Sequence, residues 1–345
     1  MRVSRVFLVL ALLLAVVLLA LAFRGVHWSE LLVTVRRARP LYLVLAFGTF
    51  SVSLCLRGLR WRVLLSAEKP IALLIGVWGE AVGYLGNYFL PARAGELIRS
   101  AMIGRATGLS TTYVLATALT ERIVDAVTLV VISLVTLLTF AAMPGPLLAA
   151  VKATAVIALV GLVVLLVAPR YERALVAALS RLPLPDAIGQ RLVKLLEEFL
   201  LGVRALQQAP RALTFILFTA VVWLVDAVTA VVVASAFDLR LAVPQALLLI
   251  AALGLSSAAP STPGYVGIYQ FVAVTVLAPF GFSRGESLVL IIALEAVIYA
   301  GVIVWGGIGL WRLSAIRRSL STSSADWTEA GLTERGYASS ARKRS

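Results

Sequence analysis

Val6–Phe23 is an unbroken run of 18 uncharged residues, and comparable apolar runs return along the chain as far as Trp311. In hydrocarbon no water pairs a bare N–H or C=O, so such a segment is stable only as a helix that satisfies its own backbone. Further apolar stretches lie at 41–56, 71–90, 112–140, 147–168, 212–236, 243–259, 265–280 and 288–311. The expectation is an all-α, polytopic integral membrane protein. Composition agrees: 61% of residues are apolar and 14% charged, where soluble domains run at about half and about a quarter. Arg2, Arg5 and a small-residue Ala20-Leu21-Ala22 pattern give the first run some signal-peptide character. Its length and lack of a polar break favour an uncleaved anchor.

Basic residues sit at both ends, Arg2 and Arg5 at one and Arg317, Arg318, Arg342, Lys343 and Arg344 at the other. Basic flanks stay on the cytoplasmic side, which calls for an even number of crossings. Nine apolar segments then predict about eight transmembrane helices plus one or two re-entrant or broken helices, in a bacterial-type plasma (inner) membrane with both termini cytoplasmic. The broken elements are assigned to 71–90 with its continuation to 100, and to 254–267, because both are rich in Gly and Pro. Residues 1–313 form the membrane domain, and 314–345 a disordered, basic, Ser/Thr-rich tail. Segment 169–211 places Leu192, Leu195, Leu196, Phe199, Val203 and Leu206 at helical spacing. That predicts an amphipathic helix on the cytoplasmic membrane surface, or one packed against the spans. The 29 residues of 112–140 make about 43 Å of helix, with Ser110 as a plausible N-cap. The string Val124-Asp-Ala-Val-Thr128 recurs as Val225-Asp-Ala-Val-Thr229. Its two copies stand on opposite sides of the nearest broken segment, so it does not by itself establish a repeat.

The one cysteine, Cys55, and the one histidine, His27, are too few for an internal disulfide or the usual zinc constellations. No G-x-x-x-x-G-K-[ST] string occurs, so an ATP-driven pump working alone is not expected. Neither metal nor cofactor is expected. The net charge of +14 sits in loops beside apolar spans, where it orients the chain and attracts anionic lipid. Nucleic acid is not an expected partner.

Charges at membrane depth are costly, so they face a cavity or a partner. Asn87, Arg93, Glu96 and Arg99 form the densest set. Three-residue spacing would place Glu96 between two guanidiniums, and guanidinium binds phosphate bidentately. Either a lipid-headgroup site or a structural ion-pair network fits that pattern. Glu121 and Asp125 share a helix face, with Arg122 turned away. They and the mid-span Asp226 and Glu295 are candidates for charge balance or proton coupling. Arg57, Arg60 and Arg62 beside Trp61 read as interfacial anchors, with headgroup binding through Arg60 as the alternative. Pro91, Gly95, Pro260, Ser261, Pro263 and Gly264 mark breaks where a path through the protein could be lined. Gly306-Gly307-x-Gly309 reads as close helix packing.

Together Arg57-Gly-Leu-Arg-Trp-Arg62, Leu90-Pro-Ala-Arg-Ala-Gly-Glu-Leu-Ile-Arg99 with Asn87, Glu121-Arg-Ile-Val-Asp125 and Pro260-Ser-Thr-Pro-Gly264 resemble the flippase-like membrane domain of lysylphosphatidylglycerol synthases, the multiple peptide resistance factor family. The resemblance extends to about Trp311. It implies a helical fold with re-entrant elements that moves polar-headed lipids between leaflets. Members are also associated with hopanoid and polyprenyl-linked glycan pathways, so the resemblance does not name the lipid. Aminoacyl-transferring members carry a large soluble domain after the membrane part, and the 34 residues after Trp311 are too few for one. The expected function is a lipid translocase with membrane lipids, anionic or phosphate-containing, as partners. The alternatives are a membrane-embedded transferase on lipid-linked substrates, or a non-catalytic partner of a separate lipid or glycan synthase.

Overall fold

The structure is a computed structural model that describes residues 13, 16–26, 28–36, 38–90, 94–138, 156, 159–164, 167–183, 185–257 and 263–342. Every regular element among the described residues is helical. In chain order the α-helices are α1 (Trp28–Arg36), α2 (Pro40–Leu65), α3 (Leu73–Phe89), α4 (Gly95–Thr107), α5 (Thr111–Leu138), α6 (Glu172–Ser180), α7 (Asp186–Arg204), α8 (Ala209–Ser235), α9 (Val243–Ser256), α10 (Ile268–Leu277) and α11 (Arg284–Arg342). Their ends follow local chemistry. Pro40 opens α2. The Ser110 hydroxyl accepts the Tyr113 N–H at 3.2 Å and caps α5. Gly108 closes α4 at φ 75°. Ser283 and Glu286 form a reciprocal capping box on α11.

Among the described residues three helices are long and apolar enough to cross a membrane: α2, α8 and the Arg284–Ile316 part of α11. The long α5 carries Glu121, Arg122 and Asp125 in its interior. The count of eight crossings cannot be completed from these elements, because 1–12 and most of 139–158 lie outside the described residues. One predicted boundary shifts. The second span does not stop at 56 but runs on to Leu65, which carries Arg57 and Arg60 into the bundle. The helical backbone of α11 extends to Arg342. No proline interrupts that stretch, and a helix pairs its own backbone without needing a packed face.

Two halves repeat one order of elements: a long helix, a broken pair of short helices, then a long helix. In the first half these are α2, α3–α4 and α5; in the second, α8, α9–α10 and α11. The first helices lie side by side and antiparallel. Thr229 donates to Thr49 at 2.8 Å, Arg60 to Thr219 at 3.2 Å, and Arg211 to the Ser66 carbonyl at 3.4 Å. Each closing helix packs on the other half's broken pair. Gly306 and Gly309 of α11 face Leu85 and Trp78 of α3, and Gly254 of α9 faces Leu129 of α5. The recurring Val-Asp-Ala-Val-Thr string falls on α5 and α8, which are not equivalent positions of the two halves. The repetition lies in the order of helices, not in that string.

The short helices α3, α4, α9 and α10 span about 25, 20, 21 and 15 Å, all less than a ~30 Å hydrocarbon core. The glycines expected to break 71–90 instead lie inside a regular helix. Gly79, Gly83 and Gly86 let α4 approach so closely that Ile103, Arg99 and Gly95 occupy the space of their missing side chains. The break comes after them, at Leu90, whose backbone turns extended. In the second pair, Gly264 (φ 73°), Tyr265 (φ 60°) and Gly267 (φ 90°) bend the chain between α9 and α10. The two bends meet: Tyr88 packs edge-on against Tyr265 at 5.6 Å between ring centroids and against Tyr299 at 5.0 Å. The C-terminal half of α7 docks on α5, with Gly202 against Tyr113 and Ala116, and Ser110 donating to Glu198 at 2.6 Å. Nearer its start, Ile188, Leu192 and Leu195 of the same helix are exposed.

Candidate functional site

Four arginines and five carboxylates from α2, α3, α4, α5 and α8 converge inside the bundle. Arg60 on α2 is fully buried and donates to Asp125 at 2.6 Å, to Glu121 at 2.5 Å and to Thr219. Glu121 reaches Arg99 at 3.0 Å, and Arg99 also pairs with Glu96 at 2.6 Å and with Glu80. Arg122 lies 3.1 Å from Glu96 and 3.7 Å from Asp125, which closes the circuit back to Arg60. Beside it Asp226 on α8 pairs with Arg57 and accepts from Ser53 at 2.5 Å. The guanidiniums also lie over rings: Arg57 over Trp223, Arg60 over Phe215 and Arg99 over Trp61. Such stacking suits a planar cation taken out of water. Both copies of the Val-Asp-Ala-Val-Thr string thus aim their aspartate at α2, Asp125 at Arg60 and Asp226 at Arg57.

The network forms one wall of a cavity of about 760 Å³. Arg57, Asn87, Glu96, Arg122, Asp125 and Asp226 face it on the charged side, and Tyr84, Tyr88, Tyr265, Tyr269 and Glu295 line it further on. Aliphatic residues, among them Leu54, Ile123, Leu129, Ile250, Leu253 and Ile291, make up the rest of the lining. Arg122 has 29% of its side chain accessible, against 0% for Arg60 and 1% for Arg99. Asn87 Oδ1 is buried without a hydrogen-bond partner among the described residues, whereas both Glu96 oxygens are held by guanidiniums, Oε2 by Arg99 and Oε1 by Arg122. A buried acceptor without a partner calls for an explanation, and a ligand donor is one.

The sequence-predicted residues divide between the network and the cavity. Asn87, Glu96, Arg122, Asp125, Asp226 and Glu295 reach the cavity wall. Arg60, Arg99 and Glu121 point into the network, so the cations that face the cavity are Arg57 and Arg122 rather than Arg60 and Arg99. Gly95 sits against Gly86 and Asn87 at the first bend. Gly264 at the second bend lies directly against the Tyr299 hydroxyl, with Pro263 opening the turn. Pro91, Arg93, Pro260 and Ser261 lie outside the described residues. Three features escaped the sequence reading. Glu80, fully buried on α3, pairs with Arg99 and lies 3.5 Å from Arg122. Arg57, read as an anchor, is a cavity residue. The tyrosines at the two bends had no sequence signal beyond their type.

The pattern of the family described as the lysylphosphatidylglycerol synthase TM region matches residues 8–306, which include both broken pairs, the ion-pair network and the cavity. The chain belongs to this family. Among curated proteins it is similar to one named Glycosyltransferase AglD, from Haloferax volcanii, with 25% identity over 359 aligned positions. The alignment covers 94% of this chain and 57% of that relative, so the chain spans little more than half of the relative's length. No solved structure matches it. Membership makes this an all-α membrane protein with a lipid-related function.

Proposed function

We propose that this protein is a lipid translocase that carries a polar- or phosphate-headed lipid between membrane leaflets, with the headgroup held in the central cavity. The observation that carries this reading is a cavity of about 760 Å³ lined by both charged and aliphatic residues, inside a bundle of membrane helices. A lipid headgroup with the first part of its chains needs both surfaces at once. Arg57 and Arg122 supply guanidiniums for a phosphate, and Asn87 supplies an acceptor for a headgroup hydroxyl or amino group. The fully buried pairs hold those groups in place. Phospholipids, polyprenyl-linked lipids and hopanoids all match this chemistry. The setting is a bacterial-type plasma membrane with cytoplasmic termini, and movement runs down a gradient.

A second reading is favoured by the name of the Haloferax volcanii relative: a membrane-embedded transferase on lipid-linked substrates, or a partner of a separate synthase. A transferase changes a lipid's mass, whereas a translocase changes only its side. The test reconstitutes the protein in liposomes with headgroup-labelled phospholipid and polyprenyl-phosphate probes, then follows loss of leaflet protection together with lipid mass. The translocase reading expects movement at constant mass that falls at least about tenfold in Arg122→Ala, the loss that follows from removing a charge-assisted contact. A change in probe mass, or no movement by folded protein across the probe set, would favour the second reading.

A further inference from the structure

Glu295 stands apart from the other buried carboxylates. Glu80, Glu96, Glu121, Asp125 and Asp226 each pair with at least one arginine. Glu295, 93% buried in the same cavity wall, is instead met among the described residues by the neutral side chain of Gln270, whose Nε2 donates to Glu295 Oε2 at 2.5 Å. The second oxygen, Oε1, is buried with no hydrogen-bond partner among the described residues. The groups around it are also uncharged: Tyr88 from α3, Tyr265 and Tyr269 from the second bend, and Tyr299 from its own helix. The charges that share the cavity are paired among themselves, Arg57 of α2 with Asp226 of α8, and Arg122 of α5 with Glu96 of α4 and Asp125 of its own helix.

Gln270 cannot turn to offer a different atom. Its Oε1 accepts the Gly267 N–H at 2.6 Å, so only its NH₂ faces Glu295. Glu295 Oε2 is therefore an acceptor in any state, and a proton has one place to go, Oε1. The same hydrogen bond ties the carboxyl to Gly267, whose φ of 90° defines the bend between α9 and α10.

We infer that Glu295 is a proton-binding site, in which Oε1 takes up one proton from the cavity and releases it again as the second broken helix pair shifts during translocation. This rests on the translocase reading for its role, but the site itself does not. The step is balanced: a proton leaves a water molecule or hydronium on one side, forms the Oε1–H bond, and returns to water on the other. Among the described residues no cation pairs with Glu295; a buried carboxylate so placed is costly, and protonation removes its charge without a new partner. Ionisation strengthens the bond from Gln270, since charge-assisted hydrogen bonds are roughly twice as strong as neutral ones. Protonation weakens it and loosens the hold on the Gly267 bend. A metal cation would need several oxygen ligands, and the tyrosines with one amide do not provide that set.

Dicyclohexylcarbodiimide tests the site in the whole protein without requiring transport, because it attacks protonated carboxyls in apolar surroundings. The expected result is a covalent adduct on the peptide containing Glu295, falling about tenfold per pH unit once the carboxyl ionises and absent from Glu295→Gln. Protection by sodium at constant pH, or no adduct at Glu295 at any pH, would overturn the assignment. Proteoliposomes then read its role. An inward pH gradient should accelerate wild type several-fold and leave Glu295→Gln unresponsive. A gradient response of equal size in Glu295→Gln contradicts coupling through this carboxyl. If wild type moves no probe while labelling stays pH-dependent, the translocase reading fails and the proton site stands.

Discussion

Arg60 and Arg122 belong to one network, yet they should behave differently when removed. Arg60 is enclosed by Glu121, Asp125 and Thr219 with no accessible surface. Arg60→Met would leave two carboxylates buried without their main partner, and breaking a buried pair costs about 3–5 kcal/mol. Thermal unfolding in detergent should show a large fall in midpoint for that variant. Arg60→Lys should not restore it, because an ammonium cannot span two carboxylates as a planar fork does. Arg122 is partly accessible from the cavity, so Arg122→Met should keep most of the stability and lose translocation instead. Equal destabilisation by the two would mean that the cavity-facing charge is only structural. The charges themselves were legible in the sequence, because an ionised residue in an apolar run is costly enough to need a reason. Their partners were not. Arg60 meets Asp125 and Thr219 from positions 65 and 159 residues away, a pairing made by the fold alone. Arg57 and Arg60 were read as anchors because the apolar run pauses at 56, whereas the helix continues to Leu65.

The broken helix pairs depend on where small residues stand. A Cβ on Gly95 would meet Asn87 Oδ1 at 2.6 Å and the Asn87 backbone nitrogen at 2.7 Å. Gly95→Ala should therefore push α4 away from α3, lower thermal stability and misplace Glu96 and Arg99 together. Gly307→Ala is the matched control, since nothing lies within 4 Å of the added carbon; its stability should stay within about 0.5 kcal/mol of wild type, as for other substitutions that meet no neighbour. Comparing the two by unfolding separates close approach from a general dislike of alanine. Glycine and proline enrichment correctly marked both segments as special in the sequence. It misassigned the cause for the first, because a glycine stripe that admits a neighbouring helix and a glycine cluster that ends one have the same composition. Only the spacing of Gly79, Gly83 and Gly86 on one face distinguishes them, and only the partner helix makes that spacing meaningful.

At the scale of the molecule, the halves 40–138 and 209–316 share one order of helices and lie with their first helices antiparallel. Transporters built from inverted halves with discontinuous helices place their sites where the breaks meet, and here the bends meet at Tyr88, Tyr265 and Tyr299. If the two pairs separate during translocation, locking them should stop it. In a Cys55→Ser background, Tyr88→Cys with Tyr265→Cys should lose translocation on oxidation and regain it on reduction, with each single cysteine variant unaffected by oxidant. Unchanged transport by fully cross-linked protein would show that the bends stay together throughout. The membrane class and the broken elements could be read from apolar runs and breakers. The repeated architecture could not, because the one recurring string lies at non-equivalent places in the two halves. The central claim, that the cavity receives a lipid headgroup, is tested most directly by photo-cross-linking from inside it. A diazirine side chain at Ile250, on the cavity wall, would be compared with one at the exposed Leu213, and the attached lipids identified by mass in native membranes. The account predicts a narrow set of polar-headed lipids at position 250 against the bulk membrane composition at 213. The same bulk composition at both positions, or no lipid at 250, would contradict it.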